Sequence, residues 1–403
     1  MRKKKLKILT VFVCIFSFII GILAGAVTVV YKTLPDTEQL VVGEEVFYSY
    51  NSNSGVTKSK ITGADDEASI HFLELGNKYT GDCTYIKYGS VDILIDCGSK
   101  TNSIATVSSY LNQEGYVTDN KLEYVIVTHA HQDHYAGFAT SEKVNGIFDL
   151  YEIENIIDFG KATNQSEDKT TYKNYLKKRE KAINKGYTLN GGKKETNYFD
   201  ASSLTKGSKK EFVVDEYFKF ELLYNFYQEE HLKYPRLSEN NFSVCTLFSH
   251  GEKNFLFTGD LEEEGEIELV KNNNLPQVEL YKAGHHGSKT SSSETLLEQI
   301  KPKTICVCCC AGSSEYTTDL VNQFPTQKFI MTATKYTQNI YVTTLCIDYK
   351  ANKFESMNGN IVVISVFGQN GIGLDCSNNS LKLCETDWFN SRYNSDFTLK
   401  NAS

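Results

Sequence analysis

Short apolar runs separated by polar and glycine-containing segments recur along the chain and predict alternating strands and helices. Runs at 69–75, 81–88 and 90–98 predict an antiparallel meander, because apolar and polar residues alternate in them. Helical spacing follows at 101–114, and the β-branched run at 122–127 predicts a buried strand. Beyond it, the patterns predict strands at 152–159, 211–227, 240–248, 254–260, 278–284 and 304–310, and helices at 170–185, 262–273 and 291–300.

The first thirty residues differ from the rest. An uncharged run of 23 residues, from Ile8 to Val30, is long enough to cross a bilayer as a helix. Five basic residues precede it, so the positive-inside rule places the following domain outside the cell membrane. The alternative is a signal peptide cleaved near Ala24-Gly25-Ala26, which would give a secreted form. The length of the run favours a single-pass anchor.

These patterns divide the 403-residue chain into four parts. Residues 1–30 form the basic tip and transmembrane anchor, 31–67 a stalk, 68–370 the globular domain and 371–403 a C-terminal tail. Within the globular domain, 161–210 holds 13 Lys or Arg and five Asp or Glu, a net charge of +8, and is predicted as a basic insertion.

Charge and cysteine content limit the possible functions. The whole chain has 42 basic and 50 acidic residues; without residues 1–30, which hold five basic ones, 37 remain against 50, a net charge of −13. Such an acidic domain is not typical of a general polyanion binder. The basic insertion is either a solvated helix or a lid for an anionic substrate, and the lid hypothesis predicts that Lys177 and Arg179 bind substrate. The eleven cysteines do not suggest a disulfide framework in a chain of this length, and buried thiols are expected.

The densest chemistry follows the strand predicted at 122–127. Three histidines and a carboxylate lie within six residues, namely His129, His131, Asp133 and His134. Imidazole nitrogens suit zinc, and an aspartate oxygen can complete its shell. His129 and His131 point the same way in extended backbone, while Asp133 and His134 diverge, so the two pairs can serve two metals. A polar loop with scattered histidines is the alternative, but five of the chain's eight histidines lie here or in one later pair.

Two later strand ends add candidate ligands. Asp260 follows Gly259 at the end of the strand predicted at 254–260, where it could bridge two metals, and the strand at 278–284 leads into His285 and His286. Ligands that follow several strand ends predict one site at the edge of a layered fold. Two metals there can activate water and stabilise the leaving oxygen of an ester.

These motifs resemble those of the metallo-β-lactamase-fold hydrolases. Within that family the chain is most similar to the extracellular hydrolase domain of ComEC-type DNA-uptake (competence) proteins. The resemblance spans roughly residues 69–366 and is carried, in order, by 81–82, 94–98, 128–134, 240–244, 257–260 and 285–291. It implies an α/β fold, a four-layer αββα sandwich over 68–370, with two divalent metal ions at its edge. Zinc is the expected metal and manganese the alternative.

The resemblance also implies roles for individual residues. The metal ligands it implies are His129 and His131 for the first metal, Asp133 and His134 for the second, Asp260 as the bridge and His285 as the last ligand of the second. His286 is left open between ligand, general acid and packing residue. Asp133 and His286 are predicted as catalytic residues, and Asn240 and Ser288 as substrate-binding residues.

Two departures from the family pattern affect the expected function. Many relatives have a further histidine where this chain has Asn240 or Asn241, so the first metal is one protein ligand short, with His231 as an outside candidate. The Asn-Tyr-Gly-His-Pro-like run of the ComEC type is replaced at 313–318 by Ser-Ser-Glu-Tyr-Thr-Thr, which lacks the histidine and places nuclease activity in doubt. The single predicted span also offers no channel for DNA.

The leading hypothesis is therefore a surface-anchored, metal-dependent phosphodiesterase. Its substrate is either nucleic acid or a wall-polymer phosphoester such as phosphorylcholine. The alternative is a non-catalytic surface binding module on a degenerate hydrolase fold. The sequence indicates no protein partner.

Overall fold

The computed structural model describes residues 66–400, except 114, 140, 142, 164–165, 231–232 and 235. These residues belong to a unit that runs from Gly63 to Ser403. The predicted anchor at 1–30, almost all of the predicted stalk at 31–67, and His231 lie outside the described residues. Among the helices of the described part, none is both long and apolar enough to cross a membrane.

Eighteen strands lie within the described residues. In chain order they are β1 Glu67–Phe72, β2 Thr84–Tyr88, β3 Val91–Ile95, β4 Lys121–Val127, β5 Glu152–Asp158, β6 Tyr187–Leu189, β7 Gly192–Lys194, β8 Asn197–Asp200, β9 Lys210–Val213, β10 Phe218–Leu223, β11 Cys245–His250, β12 Lys253–Phe257, β13 Leu280–Lys282, β14 Thr304–Ala311, β15 Ile340–Asp348, β16 Lys353–Ser356, β17 Ile361–Val366 and β18 Gly373–Cys376.

The described residues also contain nine α-helices. They are α1 Ser103–Leu111, α2 Gln132–Tyr135, α3 Ile147–Leu150, α4 Thr170–Lys185, α5 Phe226–Glu229, α6 Glu263–Asn272, α7 Glu294–Ile300, α8 Gln327–Ala333 and α9 Asp387–Arg392.

Two eight-stranded sheets form the centre of the fold. The first has the order β18-β17-β1-β2-β3-β4-β5-β8, and the second β16-β15-β14-β13-β12-β11-β10-β9. The predicted meander is confirmed, since β1, β2 and β3 pair antiparallel in sequence. In each sheet a parallel block follows, β3-β4-β5-β8 in the first and β12-β13-β14-β15 in the second. Parallel blocks bring several carboxyl ends of strands to one edge, where ligand sites form.

Aromatic side chains join the facing sheets. The ring centroids of Phe72 and Phe257 are 6.2 Å apart, and those of Tyr88 and Phe218 are 4.6 Å apart. Helices cover the outer faces: α1 buries Ile104 and Val107 on one side, and α6, α7 and α8 contribute apolar side chains to the core cluster of the second sheet on the other. The predicted α/β sandwich with helices on both outer faces is therefore confirmed.

Several predicted segments differ from the structure. The strand predicted at 240–248 begins only at Cys245, because Glu239–Phe242 form a 3-10 helix. The single strand predicted at 211–227 is instead the hairpin β9–β10, because the Asp215 carboxylate accepts hydrogen bonds from the backbone N–H groups of Tyr217 and Phe218 and closes a turn. The segment predicted as a C-terminal tail is part of the fold, since β18 pairs with β17 and α9 buries Trp388 and Phe389. The predicted basic insertion forms α4 and the hairpin β6–β7, and also supplies β8, an edge strand of the first sheet.

Candidate metal centre

The loops that follow β3, β4, β12 and β13 meet at one edge of the sandwich. Backbone hydrogen bonds hold them together: Cys97 N donates to His134 O at 2.7 Å, Val244 N to Thr128 O at 2.8 Å and His285 N to Gly259 O at 3.3 Å. Glycine is required at Gly98, where a Cβ would lie 1.5 Å from the backbone oxygen of Asp133. The loops after β3 and β4 therefore approach more closely than a side chain would allow.

Four buried side chains form the densest cluster of ligand atoms. Asp82, His134, Asp260 and His286 each place one ligand atom within 4.8 Å of the others. Oδ2 of Asp260 lies 3.0 Å from Nε2 of His134 and 3.2 Å from Nε2 of His286. Asp133 is adjacent, with Oδ2 3.5 Å from Nε2 of His286.

The donor set fits a divalent metal. Within the described part of the chain, Nε2 of His134, Nε2 of His286 and Oδ1 of Asp260 are buried without a hydrogen-bond partner. Imidazole nitrogens and carboxylate oxygens that converge in a buried cluster form a donor set that a divalent cation would satisfy. The mixture of imidazole and carboxylate suits zinc and also permits manganese.

The other nitrogen of each of these two histidines is held by an acceptor. Nδ1 of His134 lies 2.7 Å from Oδ2 of Asp96, and Nδ1 of His286 lies 3.1 Å from Oδ1 of Asp82 and 3.0 Å from the backbone oxygen of Cys308. These contacts place the proton on Nδ1 and leave Nε2 for a metal, as outer-shell carboxylates do in metal sites. Thr128 fixes Asp96 in turn, through its backbone N–H and its hydroxyl.

The first predicted pair also lies near Asp260. Nε2 of His129 and Nδ1 of His131 are 3.1 Å apart, and Nε2 of His129 lies 4.0 Å from Oδ2 of Asp260. One carboxylate oxygen thus lies within 4.0 Å of a nitrogen of the first pair and of both His134 and His286. This is the placement expected of a bridging residue.

The two adjacent histidines have different surroundings. His285 and His286 both have left-handed backbone, with φ of 47° and 56°. His286 joins the cluster around Asp260, whereas Nδ1 of His285 lies 3.0 Å from Oγ1 of Thr290 and 3.4 Å from Nδ2 of Asn240. His286, rather than His285, therefore belongs to the cluster of candidate ligands around Asp260.

The predicted substrate-binding residues are dispersed. Asn240 is buried between His285 and Glu262, its Nδ2 3.1 Å from Oε1 of Glu262, and the Ser288 hydroxyl is within 3.1 Å of the Thr290 hydroxyl. Lys177 lies on the exposed side of α4. Nη1 of Arg179 donates to Oδ2 of the buried Asp158 at 2.5 Å, so this side chain is already engaged. Their roles in binding stay predictions.

Sequence reasoning missed three residues of the centre. Asp82 and Asp96 hold the Nδ1 atoms of the metal-facing histidines, and Lys282 forms a buried ion pair with Asp82 and lies 3.8 Å from Oδ1 of Asp260. Asp82 and Asp96 belonged to motifs that carried the family resemblance, without an assigned role. A signal for Lys282 was also present, since it is a charged residue at the end of a wholly buried strand just before the histidine pair.

Electrostatics divide the histidines into two groups. Burial lowers the pKa of His129 well below its usual value, so this ring is neutral. Burial would also lower the pKa of His134, but Asp260 and Asp96 outweigh it and raise this pKa to about 10. The pKa of His286 is raised in the same way, against burial, by Asp260 and Asp82. A metal ion would replace the protons that these carboxylates otherwise hold on the rings.

Comparisons with known proteins identify the family of this chain. The family model of the metallo-beta-lactamase superfamily matches residues 76–310. Two curated proteins are similar over short segments: ComE operon protein 3 of Bacillus subtilis (42% identity over 69 residues, 17% of this chain) and Recombination protein 2 of Haemophilus influenzae (38% over 65 residues, 16% of this chain). These segments span only 9% and 8% of the two relatives.

Solved structures with a similar fold have low sequence identity. YhfI of Bacillus subtilis, a metallo-beta-lactamase fold protein, is 11% identical with a TM-score of 0.39, over 69% of this chain and 96% of YhfI. The short form of human tRNase Z is 13% identical with a TM-score of 0.32, over 60% of this chain and 92% of that enzyme.

Proposed function

Because this chain belongs to the metallo-beta-lactamase superfamily, a family of metal-dependent hydrolases, we propose that it is a binuclear phosphodiesterase anchored at the outer face of the cell membrane. The observation that carries the proposal is the position of Asp260, whose Oδ2 lies 3.0 Å and 3.2 Å from the Nε2 atoms of His134 and His286 and 4.0 Å from Nε2 of His129. One carboxylate shared by two sets of imidazoles is what a two-metal site requires.

Each residue near Asp260 then has a definite task. His129 and His131 would hold the first metal, Asp133, His134 and His286 would hold the second, and Asp260 would serve both. Zinc or manganese bound there would supply Lewis acidity for the hydrolysis of an ester. Asp96 and Asp82 keep the Nδ1 protons of His134 and His286 in place, so that each ring presents Nε2. Lys282 balances part of the negative charge of Asp82 and Asp260.

Two substrate classes are compatible with this centre. Nucleic acid is supported by the partial similarity to ComE operon protein 3 and to a protein named Recombination protein 2. A small phosphoester headgroup on a wall polymer, such as phosphorylcholine, is supported by the net charge of −13 that remains after residue 30, since this charge repels a long polyanion more than a headgroup that carries both charges. DNA, RNA and phosphorylcholine esters assayed on one preparation would separate the two classes.

Metal content and hydrolysis test the proposal together. The full-length protein, purified in detergent and supplied with zinc or manganese, should bind two metal ions per chain and hydrolyse bis-p-nitrophenyl phosphate. Asp260→Ala should lose both properties, because the contact shared by the two metals is removed. Fewer than about half a metal ion per chain, with no hydrolysis, would favour the non-catalytic binding module instead.

A further inference from the structure

The loop after β14 carries a tyrosine to the metal centre. Glu315 anchors this loop: its Oε2 accepts a hydrogen bond from the backbone N–H of Thr80 at 2.8 Å, and its Oε1 lies 3.7 Å from Nζ of Lys100. The backbone N–H of Glu315 also donates to the Ser313 hydroxyl at 3.2 Å. The next residue, Tyr316, therefore starts from a fixed backbone.

Tyr316 extends from this anchor over the predicted ligands of the second metal. Its hydroxyl donates to Oδ2 of Asp133 at 3.0 Å. Its ring packs against Phe324 with centroids 5.5 Å apart, and the Phe324 ring lies 6.0 Å from that of His286. Tyr316 nevertheless remains 58% exposed. The phenol is thus held at the centre and is accessible from solvent.

Two other donors near the cluster, Lys282 and Thr128, are poorly placed to meet a substrate. Lys282 is buried and paired with Asp82, and the Thr128 hydroxyl is buried and bonded to Asp96. Tyr316 combines exposure with a direct contact to Asp133. A neutral phenol can donate a hydrogen bond to an anionic oxygen without needing a counter-ion of its own.

From this geometry we propose that Tyr316 is a substrate-contacting residue, whose hydroxyl donates a hydrogen bond to a phosphoryl oxygen of the diester at the metal centre. The inference rests on the proposed phosphodiesterase function. The proposed contact uses a hydroxyl donor from the loop at 313–318, in which the histidine of the family pattern is absent. When Asp133 binds the second metal, the phenol can turn from the carboxylate to the adjacent phosphoryl oxygen while its ring keeps the contact with Phe324.

The competing explanation is that the hydroxyl only orients Asp133. In that case its removal would weaken metal binding and leave phosphate affinity of the metal-loaded protein unchanged. Tyr316→Phe separates the two explanations, because it keeps the ring on Phe324 and removes the donor alone. Tyr217→Phe is the matched control. Tyr217 is also exposed, packs on a phenylalanine (Phe367, 4.3 Å between centroids) and pairs with a carboxylate (Glu216), but it lies at the opposite end of β10 from the loops of the centre.

The experiment uses the full-length, metal-loaded protein and two probes. Binding of inorganic phosphate is measured by titration calorimetry, and kcat/KM is measured with bis-p-nitrophenyl phosphate. Tyr316→Phe should weaken phosphate binding and lower kcat/KM by roughly tenfold to a hundredfold, the effect of one hydrogen bond to a charged group, with metal content unchanged. Tyr217→Phe should match the wild type in all three measurements.

Other outcomes overturn one or both proposals. Unchanged phosphate affinity in Tyr316→Phe, with or without loss of metal, would overturn the substrate contact, as would a wild-type protein that binds no phosphate. A wild-type protein that binds phosphate through Tyr316 but hydrolyses no diester would refute the phosphodiesterase and leave the contact supported.

Discussion

At the scale of single residues, the contrast between His285 and His286 decides which side chains hold metal. The two are neighbours in sequence, yet only the His286 ring lies beside Asp260 and Asp133. His285 instead contacts Thr290 and Asn240. Substituting each histidine separately therefore tests whether binding of the second metal requires one ring or both.

We expect His286→Ala to lower metal content and to reduce kcat/KM by more than the roughly 10- to 100-fold that loss of an outer-shell partner causes, because a direct ligand is removed. His131→Ala should behave likewise at the first metal, with the fold retained. His285→Ala should keep most of its metal. Elemental analysis and bis-p-nitrophenyl phosphate hydrolysis on the three variants provide the measurement. Equal metal loss in His285→Ala and His286→Ala would contradict the assignment.

Two buried histidines away from the centre should make stability pH-dependent. His71 lies between the hydroxyls of Tyr110 and Ser69, and burial lowers its pKa to about 3. Burial likewise lowers the pKa of His250 to about 4. The unfolded chain takes up these protons near pH 6.5, whereas the folded chain stays neutral. The stabilisation is therefore present above pH 6.5 and is lost as pH falls toward 4.

The size of this effect can be measured with His71→Gln. Each histidine should contribute a slope of roughly 1.4 kcal/mol per pH unit to the free energy of unfolding below pH 6. Urea unfolding at pH 7, 6 and 5 should show a shallower slope in the variant by about that amount. Both proteins share the metal centre, so the difference isolates His71. Parallel pH profiles would show that His71 is not the titrating group.

Residue spacing predicted a cluster of candidate ligands but not which of them the structure brings together. The motif around His129 could be identified because three histidines and one aspartate occur within six residues and follow a strand. The position of His286 in the cluster could not be predicted from the sequence. It depends on left-handed backbone at two consecutive non-glycine residues, a conformation that the residue types do not indicate. The role of Asp82 depends on a contact with a residue some two hundred positions later, and periodicity carries no information on such pairs.

At the scale of secondary structure, α4 also shows that the sequence pattern does not predict contacts between residues distant in sequence. Its position was predicted from the pattern, and the helix spans Thr170–Lys185 as expected. Its cations were interpreted as solvated or as contacts for substrate. Nζ of Lys178 instead lies 2.6 Å from Oδ2 of Asp149, and Arg179 binds the buried Asp158. The acidic partners come from other elements of the first sheet and its helices, so the helix sequence alone could not reveal them.

The different surroundings of Lys177, which is exposed, and Arg179, which is paired with a buried carboxylate, lead to a prediction for these two residues. Asp158 also accepts hydrogen bonds from the hydroxyls of Tyr175 and Tyr198 and from the backbone N–H of Gly160, so Arg179→Gln leaves a buried carboxylate with three donors but without this ion pair. We expect it to lower the free energy of unfolding by about 1–3 kcal/mol and to leave kcat unchanged. Lys177→Gln, on the exposed side, should change stability by less than about 0.5 kcal/mol.

Kinetics on a long polyanion complete the comparison. If α4 also acts as a lid, Lys177→Gln should raise KM for that substrate and flatten its salt dependence, since exposed charges are screened within about 10 Å at 0.1 M salt. Urea unfolding and KM at several salt concentrations measure both effects. An Arg179→Gln variant of normal stability with a raised KM would restore the substrate-binding role predicted from the sequence.

At the scale of the whole molecule, the segment after residue 370 changes the domain description. Trp388, Phe389 and Tyr393 pack with side chains of α7, α8 and β14 in the core cluster of the second sheet. A polar surrounding sequence made this segment resemble a tail, because its few apolar residues are separated by asparagine and serine. These rings are buried by contacts with residues that are distant in sequence. The segment can therefore be part of the core without containing a long apolar run.

The orientation of the chain in the membrane is the remaining prediction at this scale. Arg2, Lys3, Lys4, Lys5 and Lys7 precede the apolar run at 8–30, so the basic end should stay in the cytoplasm and the globular domain should face outward. Protease added to intact cells that express the full chain should then remove the metal centre from the cell surface, as followed with an antibody to the C-terminal segment. Digestion only after lysis would reverse the orientation. Release of the domain into the medium without protease would instead indicate cleavage near Ala24-Gly25-Ala26, because an uncleaved apolar run of 23 residues holds the chain in the bilayer.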